Sequence, residues 1–320
     1  LVGGLAIGID IGGTKIAGAL VTASGQIKTR IRCQTVASEG GHAVMERAIR
    51  LVEELLVSSS QKVEGIGIAS AGFIDPKTGV VLHATDLLPG WTGTELARTF
   101  ENRFSLPAMA INDACAAAVG ENRFGAAQGL SDFVLLTLGT GVGGGIFCGG
   151  RLLLGALGVA GSVGHMIIDC NGRQCSCGSK GCLEAYVSGT AVANRALELG
   201  SERCLDSPLL QAIRTNRSEG AKLISIAASE GDPFAVEVLH EAGTYLGWGL
   251  TSLFNLFNPA KIVLGGSVAE AGDFLLKPAR DVVSQSSLRG EKDSACIVKA
   301  QLGDDAGIIG AASLVWDPIV

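Results

Sequence analysis

A two-lobed α/β fold with a cleft between the lobes is what this sequence predicts, and three observations carry the prediction. Short apolar, β-rich runs end repeatedly in glycine turns, and 46 of the 320 residues are glycine. The order strand, glycine turn, strand occurs at 5–22 and again at 133–148, each time followed by helical stretches and further strands. The length suits roughly two domains. A content of 47% hydrophobic and 18% charged residues suits a buried core rather than a disordered chain.

The elements justify this reading in order. Residues 5–10 read as a buried strand, followed by Gly12-Gly13-Thr14-Lys15 and a second apolar run at 16–22. Ser24-Gly25 turns the chain into a third strand at 26–34. Alanine and leucine at helical spacing predict a helix over 43–57. Buried strands follow at 63–69 and 108–112, then an alanine-rich helix at 114–124. The pattern restarts with strands at 133–138 and 143–148 around Gly139-Thr140-Gly141, and a short strand at 151–154. Helices are expected at 183–199, 221–229 and 233–257, a strand at 261–264 ending in Gly265-Gly266, and a helix at 306–315. The expected division is a smaller lobe at 1–112 and a larger one at 113–304, with the helix at 305–320 packing back on the first.

Composition excludes several functions. No apolar stretch approaches the ~20 residues a bilayer requires, so no membrane partner is expected. The amino end, 1–9, is apolar but lacks a basic flank and runs into Asp10, unlike a signal peptide. It starts at Leu1 rather than Met, so an initiator is expected to be missing. Net charge is −6 with scattered Lys and Arg, which is no footprint for nucleic acid. Four of nine cysteines lie between Cys170 and Cys182, a clustering that points to a metal and a reducing, cytoplasmic compartment.

Three groups of residues carry candidate chemistry. Asp10-Ile11-Gly12-Gly13-Thr14-Lys15 places an acid at a strand end, then two residues without side chains, then a hydroxyl and an amine. Glycines let backbone N–H groups approach phosphate oxygens, and a nearby carboxylate suits Mg²⁺ held through water. A tight hairpin with a solvated Lys15 is the alternative. The turn at 139–144 contains a literal G-x-G-x-x-G, but an apolar, glycine-rich stretch follows it and 159–164 holds no acid, so a dinucleotide fingerprint fails.

Cys175-x-Cys177-x4-Cys182, with His165 ten residues upstream, supplies three thiolates and an imidazole, a closed set for structural Zn²⁺. Cys170 stands as an alternative to His165, and a disulfide or free thiols as an alternative to metal. Asp113, between a strand and a helix, reads either as a helix cap or as a carboxylate that takes a proton from a substrate hydroxyl. Glu184 reads either as an acid carried to the site by the metal loop or as a solvated first-turn acid. His42, His83 and His240 lack a partner pattern and read as surface or packing residues.

Taken together these motifs resemble the ROK family of sugar kinases, within the hexokinase/actin-like ATPase superfamily with its ribonuclease H-like lobes. The resemblance runs end to end: 10–15, Leu88-Pro89-Gly90-Trp91, Asn112-Asp113, 139–145, Gly164-His165 with the cysteine motif and Glu184, Gly265-Gly266, and Asp304-Asp305-Ala306-Gly307. It implies ATP-dependent phosphorylation of a hexose 6-hydroxyl, glucose first and N-acetylmannosamine as alternative, with Asp113 as general base. It implies that Asp10, Gly12, Gly13, Thr14, Lys15, Thr140, Gly141, Gly265 and Gly266 serve ATP and Mg²⁺. Gly72, Asn112, Ser162, His165 and Glu184 would meet a hexose or N-acylhexosamine, while His165, Cys175, Cys177 and Cys182 hold a structural zinc. A homodimer is common in the family and is expected here.

Three departures concern the sugar. Ser162 stands where the family usually has Glu three residues before the zinc histidine. Ser70-Ala71-Gly72 resembles the Ser/Thr-x-Gly of N-acetylmannosamine kinases. Leu87, with Asp86 beside it, replaces the Asn of Asn-Leu-Pro-Gly-Trp. A repressor of the same family is disfavoured, because the first strand starts near Leu5 and leaves no helix-turn-helix ahead of it. A silent sugar sensor is the remaining class, supported by Ser162.

Overall fold

The structure, a computed structural model, describes residues 4–84, 88–205 and 207–319. Leu87 and Asp86 lie outside the described residues. The chain divides into two compact units: one takes the chain up to Ser131, Gly145–Gly161 and the chain from Gln301, the other Asp132–Gly144 and Ser162–Ala300.

In the first unit, β1 (Leu5–Ile11), β2 (Lys15–Thr22) and β3 (Ile27–Gln34) form an antiparallel meander, followed by α1 (Gly41–Ser58). Then come β4 (Val63–Ser70), the small hairpin β5 (Phe73–Ile74) and β6 (Val81–His83), α2 (Leu96–Phe104), β7 (Ala108–Asn112) and α3 (Asp113–Phe124). The five-stranded sheet has the order β3-β2-β1-β4-β7, with β1, β4 and β7 parallel. Parallel strands covered on both faces read as near-continuous apolar runs. That is why Ile7, Ile9, Ile66 and Ile68 are fully buried.

The register aligns the carboxyl ends of the three parallel strands. Ile11 lies opposite Ser70, and Ser70 opposite Asn112. In open α/β sheets, ligands bind outside such strand ends. Asp10, Gly72, Asn112 and Asp113 are carried there by topology.

The second sheet has the order β10-β9-β8-β11-β12, from β8 (Phe133–Leu138), β9 (Val142–Cys148), β10 (Arg151–Leu152), β11 (Lys261–Gly265) and β12 (Ile297–Lys299). Its helices are α4 (Glu184–Val187), α5 (Gly189–Glu202), α6 (Pro208–Thr215), α7 (Gly220–Ser229), α8 (Pro233–Phe257), α9 (Asp273–Ser286) and α10 (Glu291–Ala295). The helix expected at 183–199 is broken at Ser188, whose backbone is extended and whose hydroxyl accepts the Ala191 N–H as the N-cap of α5.

The final helix, α11 (Ala306–Ser313), packs on the first sheet. Gly8 and Gly67 are required there: a Cβ on them would stand 2.0 Å from the Ile308 carbonyl oxygen and 1.8 Å from that of Ala311. The division differs from the expected boundary at 112, because α3 belongs with α11. A Cβ on Gly310 would stand 1.8 Å from the Ala116 carbonyl oxygen, and one on Gly120 2.4 Å from that of Ala306.

The re-entry of the chain into this unit is tied to α3 by a fully buried carboxylate. Glu121 Oε1 accepts the N–H groups of Gln301 (2.9 Å) and Leu302 (2.7 Å), and its Oε2 that of Ala126 (2.7 Å). Glu121→Gln places an amide NH₂ against these donors. It is expected to lower unfolding free energy by about 1–3 kcal/mol, seen as a lower denaturant midpoint. An unchanged midpoint removes Glu121 from that role.

Candidate active site and metal centre

The residues singled out by sequence fall into two groups. Asp10, Gly12, Gly13, Thr14, Lys15, Gly72, Asn112 and Asp113 lie in the first unit. Thr140, Gly141, Ser162, His165, the three cysteines, Glu184, Gly265 and Gly266 lie in the second.

In the first unit the β1–β2 turn closes by Gly12 N–H donating to the Lys15 carbonyl at 3.1 Å. Thr35, itself fully buried, donates its hydroxyl to the Gly12 carbonyl at 2.6 Å and its N–H to the Thr14 carbonyl at 3.0 Å. The N–H groups of Gly13 and Thr14 have no partner among the described residues. Lys15 Nζ reaches Asp304 Oδ2 at 2.8 Å.

Burial, and then the Asp113 charge, push the Asp10 carboxyl up to about 7, while Lys15 pulls it back. A carboxylate that resists ionisation until a cation arrives suits Mg²⁺, which keeps several waters and binds one or two carboxylates with phosphates. Among the described residues no group of three ligand side chains gathers at Asp10, so a Mg²⁺ there would depend on phosphate oxygens and water for its remaining ligands.

Both readings of the segment after β7 are realised, on adjacent residues. Asn112 is the cap of α3: its Oδ1 accepts from Ala114 and Cys115 N–H, and its amide donates to the Gly72 carbonyl (3.0 Å) and to Asp113 Oδ1 (2.9 Å). All four hydrogen-bonding positions of the Asn112 amide are thereby engaged. Asp113 also accepts from Ala114 N–H at 2.8 Å. Burial raises its carboxyl above the usual range, against those two donors. Ser70 is buried, accepts the indole N–H of Trp91 at 3.0 Å and donates to the Ala71 carbonyl, so its hydroxyl serves the core.

In the second unit, His165, Cys175, Cys177 and Cys182 bring their ligand atoms within 4.8 Å of one another. Cys177 and Cys182 Sγ stand 3.7 Å apart, and Cys175 Sγ is 3.8 Å from His165 Nδ1. A disulfide needs about 2.05 Å, whereas ligands at about 2.3 Å around a tetrahedral zinc stand about 3.8 Å apart. The thiols resist ionising together. Cys182 is pushed up to about 12, first by burial and then by its two neighbours, and Cys175 is raised chiefly by burial. Cys177 is lowered, chiefly by the Ser179 N–H. Spacing and chemistry of the donors fit zinc. Ser162 begins the short 3-10 turn Val163–His165, its carbonyl accepting the His165 N–H at 3.0 Å.

Glu184 joins this loop to the second glycine turn. Its Oε1 accepts the Ser176 hydroxyl at 2.8 Å and its Oε2 the Val142 N–H at 2.9 Å. Two residues on, the Tyr186 hydroxyl accepts the Arg173 N–H and donates to Asp169, while the Arg173 guanidinium lies 4.6 Å from the ring centroid and bonds Glu241 at 2.6 Å. At the turn, Gly189 N–H donates to the Gly139 carbonyl (2.7 Å) and the Thr190 hydroxyl to that of Thr140 (2.9 Å). The N–H groups of Thr140 and Gly141 have no partner among the described residues.

Gly265 pairs with Thr137 across β11 and β8, and Gly266, at φ 87°, would place a Cβ 2.4 Å from the Leu138 carbonyl oxygen. The two glycines therefore stand beside the carboxyl end of β8. Sequence reasoning missed Thr35, Thr190 and Glu121. Thr35 and Thr190 lie 20 or more residues from the turns they hold, so no local motif marks them.

The chain is 38% identical over 313 residues to a glucokinase of Halalkalibacterium halodurans, covering 97% of this chain and 94% of that one. It is 34% identical over 309 residues to an N-acetylmannosamine kinase of Shigella boydii, covering 96% and 97%. Among solved structures, a ROK family glucokinase from Streptomyces griseus in complex with glucose and AMPPNP superposes with a TM-score of 0.82 at 38% identity, over 97% of this chain and 99% of that one. The fold is thus the α/β architecture of ROK glucokinases, in the actin-like ATPase class. With the profile of the ROK family matching residues 6–317, the chain belongs to that family.

Proposed function

We propose that this chain is an ATP-dependent hexose kinase that transfers the γ-phosphoryl group to a sugar 6-hydroxyl, with glucose as its first substrate. One observation carries the phosphoryl-transfer reading: each glycine turn has two successive backbone N–H groups without a partner among the described residues, beside a threonine hydroxyl. Successive amides of this kind form an anion-binding concavity. Phosphoryl transfer requires little covalent chemistry from the protein and depends on positioning and charge neutralisation.

Asp113 is the general base. It takes the 6-hydroxyl proton as that oxygen bonds to the γ-phosphorus and the bond to ADP breaks, giving a sugar 6-phosphate. Asn112, with its amide fully engaged, acts by orienting Asp113 and meets a sugar hydroxyl only by exchanging one of those bonds. His165, Glu184, Ser162 and the Gly72 segment bind the remaining hydroxyls. Gly12, Gly13, Thr14, Lys15, Thr140 and Gly141 bind phosphates, and Gly265 and Gly266 lie along the adenosine. Asp10 would hold Mg²⁺, which when bound would supply charge neutralisation beside the phosphates. The zinc is structural, fixing the loop that carries His165 and Glu184.

N-acetylmannosamine is the second reading, favoured by Ser162: a short neutral side chain in place of Glu leaves room for a 2-acetamido group. Among the described residues no helix is long and apolar enough to cross a membrane. A homodimer in the cytoplasm, with no nucleic acid partner, completes the proposal.

ADP release with Mg·ATP, measured against glucose, mannose, N-acetylmannosamine, N-acetylglucosamine and fructose, tests the function. Turnover with glucose is expected, and preference for N-acetylmannosamine selects the second reading. Silence across the panel from zinc-replete protein overturns both in favour of a sugar sensor.

A further inference from the structure

We infer that Thr35 and Thr190 are positioning residues for nucleotide binding, each holding a glycine turn from behind so that its free amides face the phosphates. The inference rests on the phosphate reading of the two turns.

In a trans peptide the carbonyl and the following N–H point in opposite directions, and the described residues contain no cis peptide. The Thr190 hydroxyl fixes the Thr140 carbonyl, which turns the Gly141 N–H away from Thr190. The Gly189 N–H fixes the Gly139 carbonyl, which does the same for the Thr140 N–H. Glu184 holds the next N–H, that of Val142. The outcome is two adjacent amides aimed to one side, with the neighbouring polar groups of the turn engaged.

The first turn uses the same device for one of its two amides, with residues that share no sequence motif with 184–190. The Thr35 hydroxyl fixes the Gly12 carbonyl, turning the Gly13 N–H outward, and the Thr35 N–H holds the Thr14 carbonyl at the far end of the turn. Thr35 has no other evident reason to be a polar residue, being completely buried. Both turns are built from glycines, whose backbone freedom opposes binding by about 1–2 kcal/mol for each residue that must be frozen. A hydroxyl that holds the turn before the ligand arrives removes part of that cost.

The test replaces each hydroxyl with a methyl group of the same shape. Thr35→Val and Thr190→Val are each expected to raise the KM for ATP by about threefold to tenfold, the loss of one neutral hydrogen bond. The effects should multiply in the double variant, as for separate sites. Glucose affinity without nucleotide and zinc content should hold, and Thr35→Ser and Thr190→Ser should restore ATP binding. An ATP KM unchanged in both valine variants overturns the inference. So do serine variants as impaired as the valine ones, or glucose affinity that falls as far as ATP affinity.

A titration of the unaltered protein, labelled at glycine and threonine nitrogens, with Mg·AMPPNP separates this failure from failure of the phosphate reading. Unmoved amides at Gly13, Thr14, Thr140 and Gly141 remove the phosphate site itself. Shifted amides together with unaffected valine variants remove only Thr35 and Thr190.

Discussion

Asp113→Asn is expected to lower turnover by about two to four orders of magnitude, the usual contribution of general acid–base catalysis, while glucose still binds. The substitution is informative because the geometry survives it. Asp113 Oδ1 accepts from Asn112 and Ala114, and an asparagine carbonyl oxygen takes over both bonds. What disappears is the second carboxylate oxygen and with it the capacity to receive a proton. Asn112 continues to cap α3, so the helix and the strand end keep their places. Calorimetric glucose affinity within about threefold of the unaltered protein, alongside the lost turnover, fits a base. Near-normal turnover removes Asp113 from the mechanism.

Cys177→Ser is expected to release zinc and raise the KM for sugar by at least about tenfold, the scale on which metal-site supports act. Cys177 is the ligand of choice for this test because it is exposed, whereas Cys175 and Cys182 are buried. Its replacement leaves the packing of the loop intact and changes only the donor. The loop between His165 and Cys182 is also held by the Ile167–Cys182 bridge, the Leu183 N–H to Met166 carbonyl bond and the Arg173–Tyr186–Glu241 contacts, so a zinc on the four donors would add the tie to the His165 ring itself. Zinc measured by elemental analysis should fall from one per chain. Full zinc with an unaltered KM sinks the ligand assignment.

Much of the fold was legible because its signals are local. The apolar run of β1, the turn at Gly12-Gly13 and the alanines of α3 each occupy a short window. The cysteine motif was legible for the same reason: soft ligands at turn spacing have few other uses. Where the reading stopped, either a local cap or proline broke the pattern or the deciding interaction came from far along the chain. Ser188 breaks a continuous helical pattern because its hydroxyl caps α5. α9 was overlooked because Pro278 interrupts it, although Leu275, Leu276, Ala279 and Val283 form its buried stripe. The boundary at 112 misplaced α3, whose close contact with α11 joins residues nearly two hundred positions apart. At the site, Asp113 and Glu184 were singled out by position. The engagement of the Asn112 amide, and the threonines behind the turns, required the assembled fold.

The way α11 completes the first sheet has a consequence for synthesis on the ribosome. The outer face of that sheet, Ala6, Ala17, Ala19 and Val21, is small and apolar and is covered by Ile308 and Ala312. Gly8 and Gly67 leave room for no other cover than a closely seated backbone. The first strands of this sheet therefore emerge long before α11 and are covered only after some three hundred further residues have been translated. The intervening Ser162–Ala300 stretch is contiguous in sequence and is free to fold while they wait. During that interval the nascent chain presents a bare sheet face of the kind that chaperones shield and that aggregation exploits. A product that ends between Ala300 and Ala306 contains the whole second unit, while its Asp113-bearing unit stays open.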